Sequence, residues 1–145
     1  MTKDEFRAAF ARLAKERGVS LLITVDAEGR AVPRPMGDLR VDDDLTVWYA
    51  TGASSRKCAH IATNPKVTVY WQNPGEGVGG WQYAWLYGAA EVLTDQATKD
   101  AFWNDSIGEY FPGGSTDPNY AVIKITPTRI EGVLGGEFET EGFHV

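Results

Sequence analysis

Apolar and polar residues follow two different periods along the chain, and together they predict a β-rich fold with helices beside it. Phe6, Phe10 and Leu13 recur at helical spacing and predict an N-terminal helix within residues 1–18. From Val19 onward, short apolar or alternating segments are separated by clusters of Gly, Pro, Asn and Asp, which is typical of strands joined by turns. Many short strands of this kind favour an antiparallel barrel over a doubly wound parallel sheet.

Seven segments have the length and pattern of strands. They are Val19–Val25, about Arg30–Val41, Leu45–Thr51, a strand after Pro65 that contains Val67, Val69 and Trp71, Trp81–Leu93, Tyr120–Thr126 and Arg129–Leu134. The pattern therefore predicts a mainly β protein with α insertions.

Two further helices interrupt the predicted strands. A short one follows Ser54 and Ser55 and ends before Pro65, and another is capped by Asp95 and runs to about Tyr110. The 145 residues fit a single domain. We expect its Gly- and Glu-rich tail, residues 135–145, to be loosely held.

The start of the short helix carries an unusual set of side chains. Arg56 and Lys57 occupy its first turn, where the helix dipole is positive and carboxylates are the favoured side chains. Free backbone N–H groups, the hydroxyls of Ser54 and Ser55 and two cations would converge there, which predicts a phosphate site. The alternative is an exposed helix whose basic side chains only point into water.

The strand at about Arg30–Val41 shows a second oddity. Val32, Arg34 and Met36 share one face by period two, so an arginine stands between two apolar residues and must either extend into solvent or meet an anion. Pro33 and Pro35 remove two N–H donors from one side of the strand. We therefore expect an edge strand or an opening, with or without a binding site.

Composition narrows the function classes. The net charge of −6 argues against general binding to nucleic acid through its phosphate backbone. No apolar run reaches membrane-spanning length, the N-terminus lacks the apolar segment of a secretory signal, and one cysteine cannot form an internal disulfide, so we expect a cytoplasmic protein. The only histidines and thiol, His60, His144 and Cys58, have no metal-ligand spacing, and we predict no metal site.

Aromatic side chains are abundant, and catalytic motifs are missing. Trp81, Tyr83, Trp85 and Tyr87 share one face of a strand, which favours a buried face or a dimer contact over a catalytic group. No nucleophile elbow, Walker loop or dinucleotide fingerprint is present. A phosphate site with many aromatic residues and no obvious catalytic group suggests a cofactor that supplies the chemistry.

Most of the chain, from about Val19 to Glu131, resembles the pyridoxamine 5′-phosphate oxidase-like, FMN-binding split barrels. The segments that carry this resemblance are Leu21–Val25, Asp26, Gly29, Arg34-Pro35-Met36, Trp48-Tyr49-Ala50-Thr51, Ser55-Arg56-Lys57, Ile61 and Asn64-Pro65-Lys66-Val67. The later segments Gly88-Ala89-Ala90-Glu91-Val92, Phe111-Pro112-Gly113-Gly114 and Asp117-Pro118 resemble the general stress protein branch of that family.

The resemblance implies a six-stranded antiparallel split β-barrel with flanking helices, a homodimer, and FMN bound in a cleft between the subunits. It implies that the FMN phosphate is held by Arg34, Ser55, Arg56 and Lys57. It implies that the flavin is lined by Pro35, Met36, Tyr49, Ala50 and Thr51, through backbone and side-chain contacts. Gln82, or its neighbour Tyr83, would stand where the oxidases carry a glutamine that contacts the isoalloxazine ring.

Two features of the oxidases have no counterpart. Leu39 stands where they carry a lysine, and no Arg-x-His element accompanies His144 near the end of the chain. Both departures argue against oxidation of pyridoxamine phosphate.

Our hypothesis is therefore an FMN-dependent oxidoreductase with two-electron chemistry on an unidentified small molecule. The resemblance to general stress proteins implies a stress-related role. The alternatives are a reductase of the same fold that uses a deazaflavin, and a non-catalytic protein that binds a flavin or a tetrapyrrole.

Overall fold

Eight strands form one antiparallel sheet in the computed structural model, which describes residues 1–145. The strands are β1 (Val19–Val25), β2 (Ala31–Gly37), β3 (Arg40–Val41), β4 (Val47–Gly52), β5 (Lys66–Asn73), β6 (Gln82–Leu93), β7 (Tyr120–Val133) and β8 (Glu141–His144). Their order is β2-β1-β5-β6-β7-β4-β3, with β8 also paired to β7. The helices are α1 (Lys3–Arg17), α2 (Arg56–Thr63) and α3 (Gln96–Phe102).

The predicted class, a mainly β split barrel with flanking helices, is confirmed. The sheet is antiparallel throughout and curls into a half-barrel. The number of strands differs from the expected six because two short strands, β3 and β8, extend the sheet beside β4 and β7.

The core lies between the sheet and α1. Phe6, Phe10 and Leu13 of α1 are buried as the helical spacing predicted, and the ring of Phe10 meets that of Trp71 edge-on with centroids 5.5 Å apart. Burying an aromatic or leucine side chain contributes about 1.5–3 kcal/mol each, so this contact fixes α1 on the sheet. The helix ends at Gly18, which adopts the left-handed conformation with φ of 65°.

The edge position of β2 is confirmed, but the strand is shorter than predicted. It pairs only with β1 and ends at Gly37, and Leu39 begins the approach to β4 through a bond from its N–H to the carbonyl of Trp48. The break occurs because the carboxylate of Asp38 turns inward, where it accepts hydrogen bonds from Ser20 Oγ at 2.5 Å and from Trp71 Nε1 at 2.9 Å.

Near the end of the chain, two predicted strands are one. β7 runs without interruption from Tyr120 to Val133 and passes through Pro127. The proline is tolerated because the register with β6 shifts between Tyr87 and Gly88, and the missing N–H falls at this irregularity.

The helix predicted to reach Tyr110 ends earlier, at Phe102. Asn104 follows, and its side-chain oxygen accepts hydrogen bonds from the N–H groups of Ser106 and Ile107, which starts a separate 3₁₀ turn. An asparagine that bonds to the backbone two residues ahead competes with helix continuation.

The tail that we expected to be loosely held contains β8. Glu141–His144 pair with Arg129–Gly132 of β7, and the ring of Phe143 packs against Phe6 with centroids 5.3 Å apart. Glu141 also forms an ion pair with the amino group of Met1 at 2.8 Å.

None of the helices combines the length and the apolar character needed to cross a membrane.

Candidate functional site

A cleft opens where β2, β4, α2 and the segment after α3 meet. Its volume is about 580 Å³, within the range of roughly 300–1,000 Å³ of typical small-molecule sites. Its lining residues are Pro35, Met36, Gly37, Asp38, Leu39, Ala50, Thr51, Gly52, Lys57, Ser106, Ile107, Tyr110, Phe111 and Asn119. The cleft thus brings together four residues that the resemblance placed at the flavin, Pro35, Met36, Ala50 and Thr51, with one that it placed at the phosphate, Lys57.

Arg34 is placed on the half-buried face of β2, as the period-two pattern predicted. Its Nη1 donates hydrogen bonds to the carbonyl of Leu22 at 3.1 Å and to the hydroxyl of Thr24 at 2.9 Å. The guanidinium is therefore anchored on β1 at one end. Its Nε and Nη2 make no hydrogen bond within the chain, so three N–H donors stay available.

Arg34 lies close enough to Arg56 and to Lys57 to interact with both, and none of these three cations has a counter-charge. Burial, followed by the proximity of Arg56, lowers the pKa of Arg34, while burial, and to a smaller extent Arg34, lowers the pKa of Lys57. None of the three takes part in the six ion pairs of the chain. Like charges held together in partly buried positions disfavour their charged forms, and an anion would relieve this repulsion.

The start of α2 differs from the prediction in one respect. Ser55 is the N-cap residue, but its side chain makes no capping hydrogen bond, and its hydroxyl is 3.4 Å from that of Thr51. The hydroxyl of Ser54 instead donates to Asn119 Oδ1 at 3.1 Å. Ser54 and Ser55 border a neighbouring cavity of about 560 Å³ rather than the cleft itself, so the two serines and Lys57 lie on different sides of the helix start.

Two other predicted residues stand apart from the cleft. The side chain of Tyr49 is fully buried, and its hydroxyl lies 2.5 Å from Ser20 Oγ, so only the backbone of Tyr49 remains to line a ligand. Burial strongly raises the pKa of its phenol. Gln82 lies at the start of β6, where its Nε2 donates to the carbonyl of Leu134 at 3.2 Å, and it does not reach the cleft of its own chain.

Sequence analysis missed one wall of the cleft. Ser106, Ile107 and Tyr110 lie in the segment predicted as a longer helix, and Phe111 directly follows it; the local signal against that helix is Asn104, a residue that favours turns. Tyr110 is 76% exposed, so a large aromatic ring stands beside the cleft with little packed against it.

Asp38 also lines the cleft and was not predicted. Burial raises the pKa of its carboxyl, and the hydrogen bonds from Ser20 and Trp71 oppose this change. No cation pairs with it. The cleft is therefore bordered by a cation, Lys57 of α2, and by a carboxyl group, that of Asp38, which directly follows β2.

Comparisons with known proteins agree with the fold. The sequence profile of the family described as "Pyridoxamine 5'-phosphate oxidase like" matches residues 5–131. No curated protein sequence matches this chain significantly.

Several solved structures share the fold. One is a protein from Clostridium acetobutylicum related to general stress protein 26 of Bacillus subtilis (22% identity, TM-score 0.83, covering 99% of this chain and 96% of that one). Another is general stress protein 26 of Bacillus anthracis (23% identity, TM-score 0.77, covering 97% and 99%). A heme-binding protein from Mycobacterium smegmatis is similar at 17% identity and a TM-score of 0.73, with 95% of this chain and 57% of that chain covered.

Proposed function

The chain belongs to the pyridoxamine 5′-phosphate oxidase-like family, and from this premise we propose that it binds FMN and works as a flavin-dependent oxidoreductase. The family match spans all of the residues that border the cleft. The proposal assigns the phosphate of FMN to the start of α2 and the edge of β2, and the flavin ring to the cleft beside them.

One observation carries the proposal: Arg34, Arg56 and Lys57 come together with no carboxylate to balance them. A phosphate dianion supplies two negative charges and acceptors for the unused N–H groups of Arg34 and for the backbone N–H groups of α2. Each charge-assisted hydrogen bond of this kind contributes about 1.5–3 kcal/mol.

The cleft fits the remainder of a flavin. Its walls combine the apolar residues Pro35, Met36 and Ile107 with the polar residues Thr51 and Asn119, which suits a flat ring with polar edges. Bound flavin supplies two-electron chemistry, and the residues of this chain supply binding, orientation and exclusion of water.

We also propose that the protein is a homodimer with the cofactor at the subunit interface. The outer face of β6 supports this, because Trp81 and Tyr87 are 46% and 39% exposed and stand in one row with Tyr83 and Trp85. Aromatic rows of this kind are enriched at subunit contacts. In a dimer, Gln82 would contact the flavin held mainly by the partner subunit, which is consistent with its distance from the cleft of its own chain.

The experiment is a separate titration of the purified protein with each of FMN, a phosphate-bearing deazaflavin and heme, in which fluorescence or absorbance reports binding. Sedimentation measures the oligomeric state. We expect saturable binding of FMN by a dimer, and bleaching of the bound flavin by a nicotinamide donor. Failure to bind FMN would refute the proposal. Preferential binding of deazaflavin or heme would support the alternatives, and tight FMN that is never reduced would indicate a binding protein.

A further inference from the structure

A buried series of hydrogen bonds leads from the anion site to α2. Arg34 Nη1 is 2.9 Å from Thr24 Oγ1, and the same hydroxyl is 2.7 Å from Nδ1 of His60. Thr24 is completely buried and His60 is 8% exposed. The series therefore joins β2, β1 and α2 below the surface of the site.

The direction of the first bond in this series is fixed by chemistry. A guanidinium has only donors, so Thr24 Oγ1 accepts from Arg34. The hydroxyl keeps its own proton and a second lone pair, so it bonds to Nδ1 of His60 as donor or as acceptor, according to the tautomer of the imidazole.

We propose that Thr24 and His60 are positioning residues that hold Arg34 for the phosphate of the cofactor. This inference rests on the proposed function. The hydroxyl fixes one Nη1 proton of Arg34 and the carbonyl of Leu22 fixes the other, so Nε and Nη2 are left pointing away from both. His60 fixes the direction of that hydroxyl.

The position of His60 on α2 links the placement of Arg34 to that of the two cations of the helix. His60 comes four residues after Arg56 and three after Lys57, so the three share one face of the helix. The bond from Thr24 holds that face against β1, next to the strand that carries Arg34. The same contact therefore sets the relative placement of cations from two separate elements.

FMN and riboflavin, which share the ring but differ in the phosphate, test this proposal. We expect Thr24→Val, which removes the hydroxyl at nearly constant volume, to raise the Kd for FMN about tenfold and to change the Kd for riboflavin less than about twofold. Thr24→Ser, which keeps the hydroxyl, should bind both ligands like the unchanged protein. Thr68→Val, on β5 opposite Ile23 of β1, is the matched control, because Thr68 makes no side-chain hydrogen bond.

Variants of His60 separate hydrogen bonding from packing. His60→Asn keeps an acceptor near the place of Nδ1 and should retain most of the FMN affinity, whereas His60→Leu should lose as much as Thr24→Val. Nitrogen NMR of the imidazole should show Nδ1 in a hydrogen bond in the unchanged protein, and this signal should change in Thr24→Val.

Three results would overturn the proposal: equal loss of FMN and riboflavin affinity in Thr24→Val, no loss of either, or an Nδ1 signal of His60 that is the same in Thr24→Val as in the unchanged protein. If the unchanged protein binds no FMN, the proposed function fails separately. Positioning is then tested with inorganic phosphate, which should shift the Nε–H signal of Arg34 in the unchanged protein and not in Thr24→Val. Absence of that shift in the unchanged protein would overturn the positioning role as well.

Discussion

The helices α1 and α2 begin in opposite ways. α1 starts with a complete capping box, in which Thr2 accepts from the N–H of Glu5 and Glu5 accepts from the N–H of Thr2, and its first turn contains two acids, Asp4 and Glu5. α2 starts at Ser55 with no capping side chain and no acid in its first turn, which holds two cations instead.

The difference indicates that the chain itself supplies all the stabilising groups at the start of α1 but not at the start of α2. At α1, every element that stabilises a helix start comes from local sequence. At α2, the exposed N–H groups, the dipole and the basic side chains all favour an anion that the chain does not provide. The arrangement at α2 costs stability in the free protein, and binding of a phosphate would recover it.

The largest expected effect is loss of the cations that would hold this anion. We expect Arg34→Ala and Lys57→Ala each to weaken FMN binding by about 1.5–3 kcal/mol, the range for hydrogen bonds to charged groups. Calorimetric titration measures the affinity. Arg12→Ala removes an exposed cation from α1 and serves as the control. Unchanged affinity in both site variants would show that the phosphate binds elsewhere.

The next largest effect is on the free energy of unfolding when the side chain at each N-cap position, Thr2 or Ser55, is truncated. We expect Thr2→Ala to lower the free energy of unfolding by about 1 kcal/mol because it breaks a real cap, and to leave FMN binding unchanged. Ser55→Ala should leave the stability of the free protein almost unchanged, because Ser55 makes no capping bond. Urea unfolding of the two variants without FMN measures their stability, and the added stability with FMN present reports on FMN binding. A loss at Ser55 equal to that at Thr2 would contradict the contrast between the two helices.

Reversal of charge at α2 should have opposite effects on stability and binding. We expect Arg56→Glu to raise the free energy of unfolding of the free protein by about 0.3–1 kcal/mol, because an acid suits the first turn of a helix. The same change should weaken FMN binding. Arg12→Glu, outside any first turn, is the matched variant for urea unfolding. A variant that loses stability would refute the account of α2 as a helix start without its anion.

The smallest effect concerns the charge within the α1 cap. Hydrogen bonding from the N–H of Thr2 lowers the pKa of Glu5, so its ionised form stabilises the fold above the usual carboxyl pKa. That stabilisation is lost as the pH falls through the lowered pKa. We expect Glu5→Gln to be less stable than the unchanged protein at pH 7, with the difference vanishing in acid. Thermal unfolding across this pH range measures it, and a difference independent of pH would exclude a role for the charge.

The parts of this molecule that sequence predicted best are those governed by local pattern. The bounds of α2 were indicated by the preference of serine for the N-cap position, although Ser55 makes no capping bond, and by Pro65. Period two placed Arg34 on the half-buried face of β2. The two proline positions identified β2 as an edge strand. Each of these signals depends on a few neighbouring residues.

The features that escaped prediction depend on contacts between distant segments. The end of β2 is set by Asp38 meeting Trp71, and the passage of β7 through Pro127 depends on a shift in β6. The burial of the Tyr49 side chain follows from Ser20 on another strand. Such partners have no local signature, so period and spacing alone could not show which polar residues turn inward.

A crystal structure of the protein with FMN tests the central claim most directly. We expect the phosphate within hydrogen-bond distance of Arg34 Nε or Nη2, of Lys57 Nζ and of the backbone N–H groups at the start of α2, with the ring against Met36 and Thr51. A phosphate bound away from these groups, or density for FMN in another cavity while the cleft holds only solvent, would contradict the account.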